Sequence, residues 1–412
     1  MKCGSCARMV AGSMPFLAGL LVLGGVAGCG DFWQAPSTTT STSCTTNCTT
    51  ATSGNYYILN SSSSGSSQII GESIVSGKLN GLSGSPYAVP STPYAMAIDP
   101  TGSFLYVSTL NGIYLYTIDA STGALTENTT AVYPNDIQAA ALVVDPTGSW
   151  LLDASDSGNL FAIPLLTSGS SAGQLDTSRL INSQPPSLAL GSTTVQRGGI
   201  AISPSGLLVS VALGSTGTET FPFASGNKTP IGNPLTLNKP YNSAGASVAV
   251  AFDPQSRYLY VGETAAFPTS STGTGALRAF SIASGSPVEF TYSAPYSSGT
   301  GSGPHAILPI STGDYVYVAN WNGTSTGNIT GFQVVTSGTS PSLSVQNSPA
   351  TAGSEPAGLA EDSSKSFLLG VNANGGPYLD TFTFDSTTAG LLDVQLTGDT
   401  GATPVAIVAA PL

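Results

Sequence analysis

A segment of roughly 50 residues recurs along the chain and restricts what it can fold into. Its clearest part reads "AIDPTGSFLYV" at residues 97–107, and it returns as "VVDPTGSWLLD" at 143–153 and "AFDPQSRYLYV" at 251–261. Each copy places a turn headed by Asp-Pro between two apolar stretches, which is the pattern of antiparallel strands joined by tight turns. With Pro93 as the register mark, the equivalent positions are Ala139, Arg197, Ser247, Pro304, Pro356 and Pro404.

Six complete copies and one partial copy predict an all-β fold, a seven-bladed β-propeller with four-stranded antiparallel blades. The partial copy is "TPVAIVAAPL" (403–412), which supplies only an innermost strand. Its missing strands are predicted at the start of the folded region, in "NYYILN" (55–60) and "SQIIGESIVSGKLNGL" (67–82). We therefore expect the last blade to be closed by N-terminal strands plus the C-terminal strand, which leaves no unpaired sheet end. The propeller domain is predicted over residues 55–412.

The composition favours a turn-rich β protein that does not bind nucleic acid. Only 8% of residues are charged, and the 49 Gly and 28 Pro residues supply many turns. The net charge is -12, and no stretch gathers basic residues. A chain with this charge has nothing to displace the counterions of a phosphate backbone, so nucleic acid is not an expected partner.

The first 28 residues have the layout of a secretory signal. Lys2 and Arg8 precede the uncharged apolar run "AGSMPFLAGLLVLGGVAG" (11–28). A transmembrane anchor is the alternative, although a run this rich in Gly and Ala is marginal for a span of about 20 apolar residues. The sequence "VAGC" (26–29) resembles the lipobox of bacterial lipoproteins. That resemblance implies an exported protein held on the envelope membrane through lipidated Cys29, and Gly30 favours the outer membrane.

Residues 29–54 are predicted to form a flexible tether between the lipidated end and the folded domain. Of the 19 residues from Ala35 to Ser53, 13 are Ser or Thr, a composition that cannot bury apolar surface. Cys44 and Cys48 lie in this segment, and outside the cytoplasm they can form a local disulfide.

One stretch of the repeat carries a family resemblance. The segment "YVYVANWNGTSTGNITGFQV" (315–334) resembles Tyr-Val-x-Asn propeller repeats, and "GSGPHAILPISTGDYVYVANW" (301–321) resembles the lactonase family of seven-bladed propellers. That family includes 6-phosphogluconolactonases and carboxymuconate-cyclising enzymes. Its motif reads Gly-Pro-Arg-His with a later Asn-Glu, whereas this chain has His305 at the Arg position, Ala306 at the His position and Trp321 at the Glu position. The resemblance implies the fold, and all three polar positions of the motif are changed in this chain.

Lactone hydrolysis needs a group that activates water and a group that stabilises the oxyanion. Loops that enter the innermost strands of a propeller meet at one mouth of the central channel, where the sequence places Arg197, His305 and Glu355. Glu263, in "YVGET", occupies the position of the family's Glu one blade earlier. If the protein is catalytic, we consider Glu263 or His305 as the base and Arg197 as the oxyanion partner. Residues expected on the ligand-facing rim are Asp156, Trp321, Glu355 and Asn372.

Two functional hypotheses remain at this point. The first is a binding or interaction module for a glycan, a small ligand or another envelope protein, with the listed polar residues as the rim of a water-filled channel. The second is a lactonase-like hydrolase outside the cytoplasm. We expect no cofactor and assign no metal site, because neither a Cys/His ligand spacing nor a nucleotide-binding motif is present in the sequence. Calcium held by loop carboxylates and carbonyls is the alternative, although no loop gathers several acidic residues at ligand spacing.

Overall fold

A computed structural model describes residues 53–411, except for positions 63–65, 135–138, 266–274, 284, 291–295, 298–302, 322, 324–325, 337–340, 347–348, 375 and 401–402. The predicted signal peptide, Cys29 and the Cys44–Cys48 pair lie outside the described residues. Within the described ranges, no helix is both long enough and apolar enough to cross a membrane.

The described chain consists of short strands, with a single turn of 3-10 helix at Thr177–Arg179 as the only helical element in the described residues. The first strands are β1 (Tyr56–Ser61), β2 (Gln68–Val75), β3 (Lys78–Gly81) and β4 (Tyr87–Ala88). Blade 1 contains β5 (Pro93–Ile98), β6 (Phe104–Thr109), β7 (Gly112–Ile118) and β8 (Leu125–Pro134). Blade 2 contains β9 (Ala139–Val144), β10 (Trp150–Ser155), β11 (Asn159–Pro164) and β12 (Ser187–Ala189). Blade 3 contains β13 (Ile200–Ile202), β14 (Leu208–Ala212), β15 (Thr218–Pro222) and β16 (Thr236–Asn238).

The second half of the ring continues in the same order. Blade 4 contains β17 (Ala246–Phe252), β18 (Tyr258–Thr264), β19 (Ala276–Ala283), β20 (Ser286–Glu289) and β21 (Tyr296–Ser297). Blade 5 contains β22 (Gly303–Pro309), β23 (Tyr315–Trp321), β24 (Asn328–Val335), β25 (Ser342–Val345) and β26 (Ala350–Thr351). Blade 6 contains β27 (Ser354–Glu361), β28 (Phe367–Asn374), β29 (Leu379–Phe384) and β30 (Leu392–Gly398), and the last strand is β31 (Thr403–Ala409).

The seventh blade joins the two ends of the described chain. Its strand order is β3-β2-β1-β31, so β31 is the innermost strand and pairs antiparallel with β1 through Ile58 opposite Ile407. The other six sheets are each built from consecutive antiparallel strands. The prediction of seven four-stranded blades, with the last one closed by both ends of the chain, is therefore confirmed.

The Asp residues of the repeat hold the turns between first and second strands. Asp99 accepts hydrogen bonds from the backbone N–H groups of Ser103 and Phe104 through Oδ1, at 2.7 and 2.6 Å, and from that of Thr101 through Oδ2, at 3.0 Å. Asp145 and Asp362 make the corresponding bonds in blades 2 and 6. These carboxylates cap the turn and stiffen it, because each one satisfies several backbone donors at once.

A tyrosine on the second strand links several blades to the next blade in the ring. The hydroxyl of Tyr106 donates to the carbonyl of Gly173 at 2.9 Å, which joins blade 1 to blade 2. Tyr57 and Tyr317, at the same repeat position, donate to Gly123 and Gly390 at 2.7 and 3.3 Å. Apolar side chains fill the space beside these bonds, as where Tyr106 of blade 1 packs with Leu151 of blade 2. The core of the propeller therefore lies between blades.

Candidate functional site

A β-bulge at the start of the innermost strand decides which side chains face the channel. In blade 5, Pro304 pairs with Asn320 and Ala306 with Ala319, so His305 is the extra residue. A bulge leaves one residue out of the ladder and redirects its side chain, and bulges are common beside functional sites. The same shift occurs in six blades, and the extra residues are Tyr94, Ala140, Val248, His305, Ala357 and Val405.

Two adjacent cavities occupy the channel and its mouth. The inner cavity has a volume of about 190 Å³ and the outer one about 370 Å³. Four residues border both cavities: Arg197, His305, Ala357 and Val405. The outer cavity is also bordered by Glu355. The structure therefore brings together Arg197, His305 and Glu355, the three residues that the repeat register places at one mouth.

Arg197 is the exposed cation of this mouth. Of the four arginines in the described part of the chain, Arg179, Arg257 and Arg278 each donate hydrogen bonds to protein oxygens. Arg197 makes no ion pair or hydrogen bond to a described residue, and its guanidinium lies 5.7 Å from the centre of the Tyr94 ring. An unpaired guanidinium that borders a cavity is available to bind an anion.

His305 is half-buried, in surroundings that disfavour the charged form of its imidazole. Burial lowers the pKa of its imidazole, and the negative charge of Glu355 offsets part of that shift. Its ring contacts the indole of Trp321 edge to face, with centroids 5.8 Å apart and planes at 78°. A neutral imidazole offers one donor and one acceptor nitrogen, so His305 can hydrogen-bond a ligand or accept a proton from water.

Glu355 borders the outer cavity from an unusual backbone conformation. Its φ angle is +57°, in the left-handed region that residues other than glycine rarely adopt. Strained residues of this kind concentrate at ligand-binding and catalytic sites, where the surrounding structure holds them in place. The half-buried carboxylate is close enough to His305 to raise the pKa of that imidazole.

Glu263 does not lie at this mouth. It is fully buried inside blade 4, where its Oε1 accepts from Arg278 at 2.7 Å and its Oε2 accepts from the backbone N–H of Tyr241 at 2.9 Å. Burial raises the pKa of Glu263, although Arg278 opposes that shift. The side chain borders neither channel cavity. The expectation that Glu263 acts beside Arg197 and His305 is therefore corrected, because its carboxylate belongs to a structural ion pair.

The predicted rim residues divide into two groups. Trp321 and Glu355 lie at the mouth, the former against His305 and the latter at the outer cavity. Asn372 is buried and donates to the Pro377 carbonyl at 2.9 Å and to Asp380 at 2.8 Å, so it stabilises its own blade. Asp156 is exposed on the turn after β10 and borders neither channel cavity.

Sequence reasoning missed Tyr94, Asn374 and Thr403, which also border these cavities. Tyr94 had a detectable signal, because it directly follows the register proline in "TPYA" as His305 does in "GPHA". Asn374 and Thr403 carry no such signal, since their positions depend on how blades 6 and 7 meet. No cluster of three or more His, Cys, Asp or Glu side chains suited to a metal ion occurs among the described residues.

Fold and site together define a seven-bladed propeller with a polar, ligand-sized cavity at one channel mouth. A family model described as "Lactonase, 7-bladed beta-propeller" matches residues 57–408. The chain belongs to this lactonase family. No protein with a curated description matches the sequence.

Solved structures with the same fold include two bacterial proteins that are described as lactonases. A candidate 6-phosphogluconolactonase from Bacteroides uniformis superposes with a TM-score of 0.65 at 16% identity, covering 86% of this chain and 98% of that one. The periplasmic gluconolactonase of Pseudomonas aeruginosa gives a TM-score of 0.62 at 15% identity, covering 88% of this chain and 100% of that one. At these identities the likeness concerns the fold alone.

Proposed function

We propose that this protein is exported, is anchored to the envelope membrane through lipidated Cys29, and binds a small hydroxylated carboxylate at the channel mouth. The observation that carries the binding proposal is the guanidinium of Arg197, which pairs with no described residue and lies beside His305 and Glu355 in one cavity. The proposal for export and anchoring rests on the signal-like residues 1–28 and the "VAGC" sequence.

The three side chains suit complementary parts of such a ligand. A guanidinium pairs with a carboxylate through two parallel hydrogen bonds, which fix orientation as well as charge. The carboxylate of Glu355 accepts hydrogen bonds from ligand hydroxyl groups, and neutral His305 donates or accepts one more. The outer cavity, about 370 Å³, falls within the usual size range of small-molecule sites. A phosphorylated ligand fits less well, because Arg197 is the only Arg, Lys or His besides His305 that borders the described mouth.

Isothermal titration calorimetry of the purified full chain in detergent tests the binding proposal, with D-gluconate as the probe. We expect Arg197→Gln to weaken binding at least tenfold, a loss of about 1.4 kcal/mol or more. Lys228→Gln is the matched control, since it removes an exposed positive charge away from both cavities. Equal affinity in wild type and Arg197→Gln, or no gluconate binding by wild type, contradicts the proposal.

A second candidate function is hydrolysis of a sugar lactone, and the pKa-lowered, cavity-facing His305 favours it. In this reaction His305 takes a proton from water while the hydroxide attacks the lactone carbonyl. Arg197 stabilises the resulting oxyanion, the ring C–O bond then breaks, and the proton passes from His305 to the leaving alkoxide. One water and one lactone thus give one hydroxy acid, the kind of ligand proposed above.

Titrimetric assay with glucono-δ-lactone separates the two functions. If the protein is a hydrolase, His305→Ala lowers turnover at least tenfold, while Asp156→Ala on the exposed turn leaves it unchanged. If wild type binds gluconate but does not accelerate lactone opening above the spontaneous rate, the protein is a binding module. Glycan arrays and envelope pull-downs with the same preparation reveal the remaining alternatives, a glycan or an envelope protein as partner.

The anchoring proposal has its own test. Replacing the acylated residue, Cys29→Ser, is expected to move the protein from the membrane fraction to the soluble fraction. Continued membrane partitioning of this variant contradicts lipid anchoring through Cys29.

A further inference from the structure

The blades of the ring border the outer cavity unequally. Two neighbouring blades supply most of its wall: blade 6 contributes Glu355 and Asn374, and the ring-closing strand β31 contributes Thr403 and Val405. Blades 3 and 5 contribute single residues, Arg197 and His305. A ligand in this cavity therefore contacts mostly blades 6 and 7 and also reaches Arg197 of blade 3 and His305 of blade 5.

The bulge residues that border the outer cavity on the side of blades 6 and 7 are small. In blades 1 and 5 the bulge position carries the large rings of Tyr94 and His305, which border the inner cavity. In blades 6 and 7 it carries Ala357 and Val405. Ala140 and Val248 are equally small bulge residues but border neither cavity. Ala357 and Val405 border both cavities, so a larger side chain at either of these two would reduce the space for a ligand.

We propose that Ala357 and Val405 are the specificity-determining residues of this site, and that they set the largest ligand it accepts. This inference rests on the proposed binding of a hydroxylated carboxylate. The ligand's carboxylate lies at Arg197 and its hydroxylated body extends over Ala357 and Val405. The exposed polar side chains of Asn374 and Thr403 lie beyond them and can hydrogen-bond its far end. The size limit fits one sugar-acid unit, and a longer acid is held less well.

Calorimetry with D-gluconate and the disaccharide acid lactobionate tests the inference on the full chain. We expect Val405→Phe and Ala357→Phe each to weaken gluconate binding at least tenfold. The control is Val248→Phe, which enlarges the same bulge position in blade 4, where the side chain borders neither cavity. The control is expected to bind gluconate as wild type does, and the melting temperature of each variant reports whether it folds.

A second variant keeps the inference testable if the larger residues disturb the fold. Val405→Ala removes volume, so it is expected to shift the lactobionate-to-gluconate affinity ratio at least fivefold towards lactobionate. The inference is overturned if wild type binds gluconate and folded Val405→Phe binds it equally, or if Val405→Ala leaves the ratio unchanged. If wild type itself does not bind gluconate, the proposed function has failed, and with it the basis of this inference.

Discussion

Glu263 and Arg278 form an ion pair at 2.7 Å on adjacent strands of blade 4, with side-chain exposures of 0% and 7%. Arg278 also binds Glu289 at 2.7 Å, a carboxylate that is 35% exposed. Glu263, which occupies in blade 4 the repeat position of Asn320 in blade 5, therefore helps to hold its own blade together.

Glu263→Gln is expected to destabilise the fold and to leave ligand affinity unchanged. Removing the Glu263 charge leaves the buried Arg278 partly uncompensated, and breaking a buried pair in this way costs about 3–5 kcal/mol. Because Arg278 still pairs with Glu289, we expect a loss near the lower end of that range. Urea denaturation measures this loss. Glu289→Gln is the control and should cost less, because its carboxylate is partly solvated. A stable Glu263→Gln protein that has lost gluconate binding would contradict the structural role.

Asp153 predicts an unusual pH dependence of stability. Both of its carboxylate oxygens are buried without a hydrogen-bond partner among the described residues, and burial together with Asp156 raises its pKa well above the ordinary value. The same repeat position carries Val107, Val211 and Val261 in other blades. The folded protein thus favours the neutral, protonated form of Asp153. The stability that this proton contributes is complete below the pKa of Asp153 in the unfolded chain, about 3.9, and it is lost as the pH rises towards the pKa of Asp153 in the folded protein.

Asp153→Val should therefore raise the free energy of unfolding at pH 7 by roughly 1–3 kcal/mol, the usual cost of a buried unsatisfied polar group. The gain should be smaller at pH 4. Urea denaturation of wild type and variant at both pH values provides the comparison, and Asp314→Asn at an exposed position of blade 5 serves as a control for removing a charge. A gain that is the same at both pH values would show that ionisation of Asp153 plays no part.

Replacing Lys365 by glycine, at the turn between β27 and β28 of blade 6, is expected to stabilise the protein. It has a φ of +59° at the position that glycine occupies in "DPTG", where Gly102 has a φ of +69°. The left-handed conformation costs a residue with a Cβ about 1–2 kcal/mol, so Lys365→Gly should raise the melting temperature despite the greater freedom of glycine in the unfolded chain. Lys365→Ala keeps the Cβ and is the matched control. Equal gains in both variants would assign the effect to the lost charge.

Because β31 closes the ring, deletions at the two ends of the chain are expected to differ strongly in their effect on the melting temperature. Deleting residues 403–412 removes the innermost strand of blade 7 and exposes the inner edge of β1, including buried Tyr56 and Ile58. We expect this deletion to lower the melting temperature far more than deletion of residues 30–52. Differential scanning fluorimetry of the two truncated proteins tests this, and equal melting temperatures contradict the role of β31 in closure.

The repeat made the fold and part of the site predictable. Strand-turn-strand units are local patterns, so their number and the shared seventh blade follow from the sequence, and the register also places Arg197, His305 and Glu355 at one mouth. The partner of Glu263 could not be predicted in this way. Arg278 meets it across the pairing of β18 with β19, where Val261 lies opposite Arg278, and no local signal in the sequence marks that contact.

The bulges were the other feature beyond the reach of sequence reasoning. A bulge is a shift in pairing between two strands, and the sequence of one strand does not show it. Its consequence for Ala357 and Val405 is large, because it places two small, unremarkable residues at the cavity wall. Once the bulge is known, the residue after each register position becomes the one to compare between blades.

A crystal structure of the protein with D-gluconate tests the central claim most directly. Gluconate is expected in the outer cavity, with its carboxylate within hydrogen-bond distance of the Arg197 guanidinium and its hydroxyl groups beside Glu355 and His305. Gluconate bound elsewhere, or an outer cavity left unoccupied at saturating gluconate, would contradict it.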